Sequence, residues 1–217
     1  MVLSSPTSPM PTLRDRQKRQ RRTDMLNAAR SLFVEHGYSR TTMDGIAERA
    51  GVGVATVYTY FTNKEGVFAE LARMDMSELQ AEGEAKLRQL PGDPVAAVLS
   101  LLDIYARAHE FVSYEVMKEF TIGARTSGPL REVAHWITEW KLEQLTAALT
   151  RAQHAGALAP ELPVRDAAQT ISDLLDRYYE RATSEENNRR ALDLLKRCVR
   201  LLFEDWRAPA QPSPRSA

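Results

Sequence analysis

The chain has 217 residues, of which 43% are hydrophobic and 27% charged, with 29 basic side chains against 29 acidic ones and a single cysteine. That is enough for one well-buried core, or a small domain joined to a larger one. It excludes an intrachain disulfide framework, and no apolar run approaches the length of a membrane span. The neutrality is uneven: residues 1–64 carry ten Lys/Arg against five Asp/Glu, and residues 65–217 carry 19 against 24. The first part therefore suits a polyanionic partner and the rest does not.

In chain order, the Ser- and Pro-rich residues 1–13 are expected to be a disordered tail, as are residues 207–217. The start lacks the continuous apolar segment of a signal peptide. Cys198 lies among Leu194, Leu195, Leu201 and Leu202 and reads as a small core residue, so a cytoplasmic protein is expected. A basic tract, "RDRQKRQRR", fills residues 14–22; it either extends the first helix or acts as an arm on phosphates or in a minor groove. Helical periodicity then predicts helices near 15–35, 43–50, 54–61, 64–88, 94–111, 113–124, 129–153, 164–182 and 186–206. The fold class is all-α, with about nine helices and no convincing strand. Helix-end chemistry agrees. Gly37 suits a helix C-terminus, Thr42 an N-cap with Asp44 in the turn behind it, and Pro94 and Pro129 suit first-turn positions.

Residues 43–61 read as helix, tight turn, helix. Ile46, Ala47 and Ala50 form one face, Val57 and Phe61 the other, and Gly51 supplies the positive φ of the turn. The pair needs a third helix to bury its apolar side, and segment 15–35 offers Leu26, Ala29, Leu32 and Phe33. The result is a helix-turn-helix domain over 14–63, followed by a larger domain over 64–206.

The outward residues of the second helix are unusual. Val54, Ala55, Thr56 and Thr59 are small or hydroxylated and suited to base edges and thymine methyls. Tyr58 and Tyr60 direct hydroxyls to the flanks, where phosphates border a groove-inserted helix. Lys64 stands at the next helix start, where charge and free N–H groups favour an anion. The same tyrosines would also serve a protein interface.

The run "TTMDGIAERAGVGVATVYTYFTNKEGVF" (41–68), together with "MLNAARSLFVEHGYS" before it, resembles the DNA-binding signature of the TetR family of transcriptional regulators. By that resemblance Thr42, Tyr58, Tyr60 and Lys64 take backbone-contacting places, and Val54, Ala55, Thr56 and Thr59 face bases. Gly53 stands where the family usually has a capping serine, and Gly45 lies inside the second helix. The resemblance also implies a ligand cavity in the larger domain, for which Tyr105, His109, Met117, Phe120, Trp136 and Trp140 are the candidate lining residues. It further implies a homodimer through the last two helices, whose apolar positions include Ile171, Leu175, Tyr178, Leu195, Val199 and Phe203.

The expected function is a dimeric repressor that holds a palindromic DNA operator and is released by a small-molecule inducer, with helix 64–88 transmitting the signal. An activator or ligand-independent regulator is the alternative; a protein-interaction module or an enzyme with a vestigial helix-turn-helix is a more distant rival. The four histidines show no metal-ligand spacing, and nothing resembles a phosphate loop or a nucleophile–base arrangement. No enzyme activity, cofactor, metal or membrane association is expected.

Overall fold

The first helix begins earlier than its periodicity predicts. In the computed structural model, which describes residues 12–110 and 114–208, α1 spans Leu13–His36. The Thr12 hydroxyl accepts from the Asp15 backbone N–H at 3.2 Å, and the Asp15 carboxylate accepts from the Thr12 N–H at 3.0 Å. This reciprocal cap satisfies donors that a helix start otherwise leaves open. The basic tract is therefore helix. Thr12 caps that helix and Leu13 opens it, while residues 1–11 and 209–217 of the expected tails lie outside the described residues.

The chain divides into two compact units, Met1–Leu71 and Ala72–Ala217. In the first, α1 is followed by α2 (Met43–Arg49) and α3 (Val54–Tyr60). The turn between α2 and α3 is set by two backbone bonds, Gly51 N–H to Glu48 O at 3.1 Å and Val52 N–H to Ala47 O at 3.0 Å. That pairing is a Schellman motif, and it holds Gly51 at φ 66°, where a Cβ is disfavoured. Met25, Leu26, Ala29, Leu32 and Phe33 of α1 are buried, as are Ile46, Ala47, Val57 and Phe61. The start of α4 (Lys64–Leu87) adds Phe68, whose ring centroid lies 5.3 Å from that of Phe33. The chain passes into the second unit within α4.

The second unit continues with α5 (Pro94–Ala106), a 3-10 turn (Arg107–Glu110), α6 (Tyr114–Thr126), α7 (Gly128–His154), α8 (Val164–Arg181) and α9 (Glu185–Trp206). α5 is shorter than the predicted 94–111. Its last carbonyls accept from side chains instead of continuing the ladder: Tyr179 donates to Tyr105 O at 2.8 Å and Tyr178 to Ala106 O at 3.2 Å. Residues 111–113, between this turn and α6, lie outside the described residues. α7 packs on α5, α6 and α8, and α9 packs on α5 and α8. Leu101, Leu102, Leu145, Leu149, Ile171, Leu175, Val199 and Phe203 fill the core between them. Cys198 is half-buried rather than part of this core. The fold is all-α; among the described residues the β-type pairing is an isolated bridge between Leu158 and Arg207.

Candidate nucleic-acid interface

α3 divides into two sides at Val57, which is completely buried. Phe61 also turns inward, and the two fix the helix to α1 and α2. Ala55, Tyr58 and Thr59 are exposed, while Val54, Thr56 and Tyr60 are half-buried. The exposed side is thus small or hydroxylated, apart from Tyr58, which keeps 52% of its surface open. The Thr59 hydroxyl donates to Ala55 O at 2.9 Å, leaving its methyl and lone pairs for an incoming group. Gly53 is the N-cap of α3 and supplies no side-chain bond, whereas Thr42 caps α2 by accepting from the Gly45 N–H at 3.1 Å. Lys64 does not project as an isolated charge. Its Nζ donates to Tyr38 O at 2.8 Å and to Ser39 O at 3.3 Å, and it lies 4.3 Å from the Tyr38 ring centroid. It therefore ties the start of α4 to the α1–α2 turn.

Beside Thr42 an open cavity of about 600 Å³ is lined by Leu32, His36, Arg40, Thr41, Gly45, Glu48 and Arg49. Its cations have internal partners. Arg49 makes two bonds to the Glu35 carboxylate, at 2.8 and 2.7 Å, and these hold that carboxyl below its ordinary range. Arg40 donates to His36 O at 2.7 Å.

In the second unit the six residues expected to line a ligand cavity separate into groups. Tyr105 is completely buried, and its hydroxyl donates to Gln144 Oε1 at 2.9 Å; burial pushes its ionisation far above the usual tyrosine range. Trp140 packs edge-on against it with centroids 5.4 Å apart, and Trp136 lies 6.4 Å from Trp140. Among the described residues the buried Trp140 Nε1 has no acceptor, the kind of atom a bound ligand can satisfy. His109 stacks on Tyr114 at 5.3 Å, with its Nδ1 2.7 Å from Ala106 O. Met117 and Phe120 are half-buried on α6.

Residues 25–71, which hold the C-terminal part of α1, the turn and α3, match the family model of bacterial regulatory proteins of the tetR family. Over the longer chain, the transcriptional repressor AcnR of Corynebacterium diphtheriae is 26% identical across 197 residues, 88% of this chain and 97% of that one. Residues 25–71 are a TetR-family domain. Another relative, the fatty acid metabolism regulator protein of Bacillus subtilis, is 27% identical over 74% of this chain and 82% of its own. A solved structure of Thermus thermophilus FadR, a TetR-family repressor in complex with lauroyl-CoA, shares the fold. Its TM-score is 0.66 at 22% identity, covering 90% of this chain and all of that one.

Three residues of the second unit were not singled out by sequence reasoning. Gln144 is buried and bridges α4 and α5, since its Nε2 also donates to Gln80 O at 2.9 Å. Gly83 leaves the notch that this amide occupies. Lys141 is 3% exposed, lies 3.8 Å from Asp176, and sits over the Tyr179 ring at 5.0 Å. Burial pushes its ammonium below the ordinary lysine range, against the opposing pull of Asp176. A signal for Lys141 existed: it stands on the helical stripe of Val133, Ile137 and Leu145. Among the described residues no group of three or more His, Cys, Asp or Glu side chains is placed to hold a metal, and no helix is long and apolar enough to cross a membrane.

Proposed function

We propose that the protein is a transcriptional repressor that reads operator DNA with α3 and releases it when an apolar small molecule binds the second unit. The observation that carries this reading is the α3 surface. A helix anchored by Val57 and Phe61 behind a rigid Schellman turn presents Ala55, Tyr58 and Thr59 to solvent. A hydrophobic core has no use for that face, whereas a major groove admits it closely. Val54 and Thr56 flank it as further base-facing groups. Thr42, Tyr58 and Tyr60 supply phosphate contacts at the edges, and Lys64 contributes positive charge while holding the α1–α2 turn. One seven-residue helix reads few bases, so the site is a palindrome read by a homodimer. The dimer in this reading still uses the last two helices, but Ile171, Leu175, Tyr178, Leu195, Val199 and Phe203 are buried within one chain, so the exposed apolar positions left for it are Leu194 and Leu201 of α9, 44% and 62% exposed.

The effector site in this reading centres on the Tyr105–Trp140–Trp136 group, with His109, which stacks on Tyr114, and the half-buried Met117 and Phe120 of α6 as separate candidate contacts. The lauroyl-CoA complex of a relative with the same fold makes a fatty acyl-CoA the first compound to test. Induction requires that the ligand prefer the dimer whose recognition helices miss successive grooves. The coupling is reciprocal, so DNA must weaken ligand binding by the factor by which ligand weakens DNA, roughly 5–150 for about 1–3 kcal/mol of coupling. Titrating lauroyl-CoA against tryptophan fluorescence, with and without a bound duplex, tests this. Equal ligand affinities in both titrations, with DNA still bound, would rule out induction by that compound.

A further inference from the structure

The helix-turn-helix leaves unused most of the charge of the unit that contains it. α1 starts at Leu13, well before its first buried residue, Met25. Between them lie Arg14, Arg16, Lys18, Arg19, Arg21 and Arg22, with Asp15 and Asp24 as the acidic residues. Asp15 is engaged in the Thr12 cap and Asp24 accepts from Gln20 at 2.8 Å. Residues 13–21 are all exposed, so this length of helix adds nothing to the core. It is nevertheless capped at its start by a reciprocal box, which holds it helical before any partner arrives.

Arg14, Lys18, Arg21 and Arg22 follow one another at i, i+4, i+7 and i+8, and so share one side of α1. Arg22 shows which side that is. Its guanidinium bonds the Glu70 carboxylate of α4 at 2.5 Å and lies 5.5 Å from the ring centroid of Phe61, the C-cap residue of α3. The stripe thus starts at the corner where the recognition helix ends and runs outward, with Lys18 and Arg14 roughly 6 and 12 Å further along the axis. Like charges at these spacings repel and weaken an isolated helix. A polyanion laid along them reverses that penalty. The stretch carries one large apolar side chain, Leu13, too few for a membrane-surface helix.

We propose that Arg14, Lys18 and Arg21 form a second DNA-contacting element, lying along phosphates that flank the groove entered by α3. It adds affinity that is independent of sequence and lengthens the protected site. The proposal rests on the reading of the chain as a DNA-binding protein, and the test separates the two. The variant R14Q/K18Q/R21Q changes only exposed residues, so its thermal melt and sedimentation should match the wild type. On one duplex, the plot of log affinity against log salt should become shallower by about 2.7, three phosphate contacts at about 0.9 each. The order of preference across a panel of single-base changes should stay the same. The charge-preserving variant R14K/R21K should restore the wild-type slope. Trimming base pairs outside the palindrome should weaken the wild type and leave the triple variant unaffected. A wild type that binds with a salt slope identical to that of the triple variant overturns this element and leaves the recognition helix standing. A wild type that binds no duplex overturns both.

Discussion

The polar node between α4, α5 and α7 makes Gly83→Ala an informative substitution. In mid-helix, alanine gains about 1 kcal/mol of propensity over glycine, so a solvent-exposed site would be stabilised. Here the added Cβ would collide with Gln144 Oε1 and lie 2.8 Å from its Cδ and 3.0 Å from its Nε2. The amide must leave. The buried Tyr105 hydroxyl then loses its acceptor, at about 1–3 kcal/mol, and Gln80 O loses a donor, at about 0.5–1.5 kcal/mol. Set against the propensity gain, the net loss is about 0.5–3.5 kcal/mol, or roughly 1–14 °C in Tm for a unit of this size. Thermal unfolding at fixed protein concentration measures it, because a dimer's melting point depends on concentration. Pairing it with Tyr105→Phe removes the hydroxyl that would be orphaned. The cost of Gly83→Ala should then fall by at least about 0.5 kcal/mol in the double-mutant cycle. A Gly83→Ala protein as stable as the wild type, or more so, refutes the reasoning.

Three further outcomes follow from the same geometry. Lys141→Met should stabilise the fold by about 1–3 kcal/mol at pH 7, because it removes a buried ammonium that one carboxylate at 3.8 Å only partly compensates. The folded pKa of Lys141 lies below its unfolded value near 10.5, so the unfolded chain binds more protons there and wild-type stability rises as pH approaches 10; urea midpoints at pH 7 and 9.5 should show the advantage of Lys141→Met shrinking. Gly51→Ala should cost about 1–2 kcal/mol through its φ of 66°, whereas Gly53→Ser, at an ordinary φ of −70° with nothing nearer than 3.9 Å to a new Cβ, should add a few tenths of a kcal/mol by capping α3; chemical denaturation compares the two. Leu201→Glu, a charge on an exposed position of α9, should leave the monomer fold intact and abolish the dimer in sedimentation velocity.

The helix-turn-helix could be read from sequence because its determinants are local. Thr42, Gly51, Val57 and Phe61 lie within twenty residues of one another, and each has a role set by cap, turn or helical period. The start of α1 was equally local, yet the Ser/Pro composition before it outweighed the Thr12–Asp15 pair. What could not be read is tertiary. Gly83, Tyr105 and Gln144 stand far apart in the chain and meet only once α4, α5 and α7 pack. The end of α5 depends on tyrosine hydroxyls from α8, which no local pattern reveals. The partners of Lys64 belong to the α1–α2 turn, so its position at a helix start suggested an anion site and gave no hint of the two carbonyls it holds. Among the ligand candidates, the family resemblance grouped residues that the structure places in separate contacts, with Tyr105 and Trp140 in one and His109 in another.

The claim that α3 reads DNA is tested most directly by selecting bound sites from a random duplex library, once with the wild type and once with an Ala55→Ser/Thr59→Ala variant. Both substitutions lie on the exposed side of α3 and leave Val57 and Phe61 in place. The wild type should enrich a two-fold symmetric motif, and the variant should enrich a different motif or none, at an unchanged melting temperature. Two identical motifs, or no enrichment by the wild type, would contradict the assignment of α3 as the recognition helix.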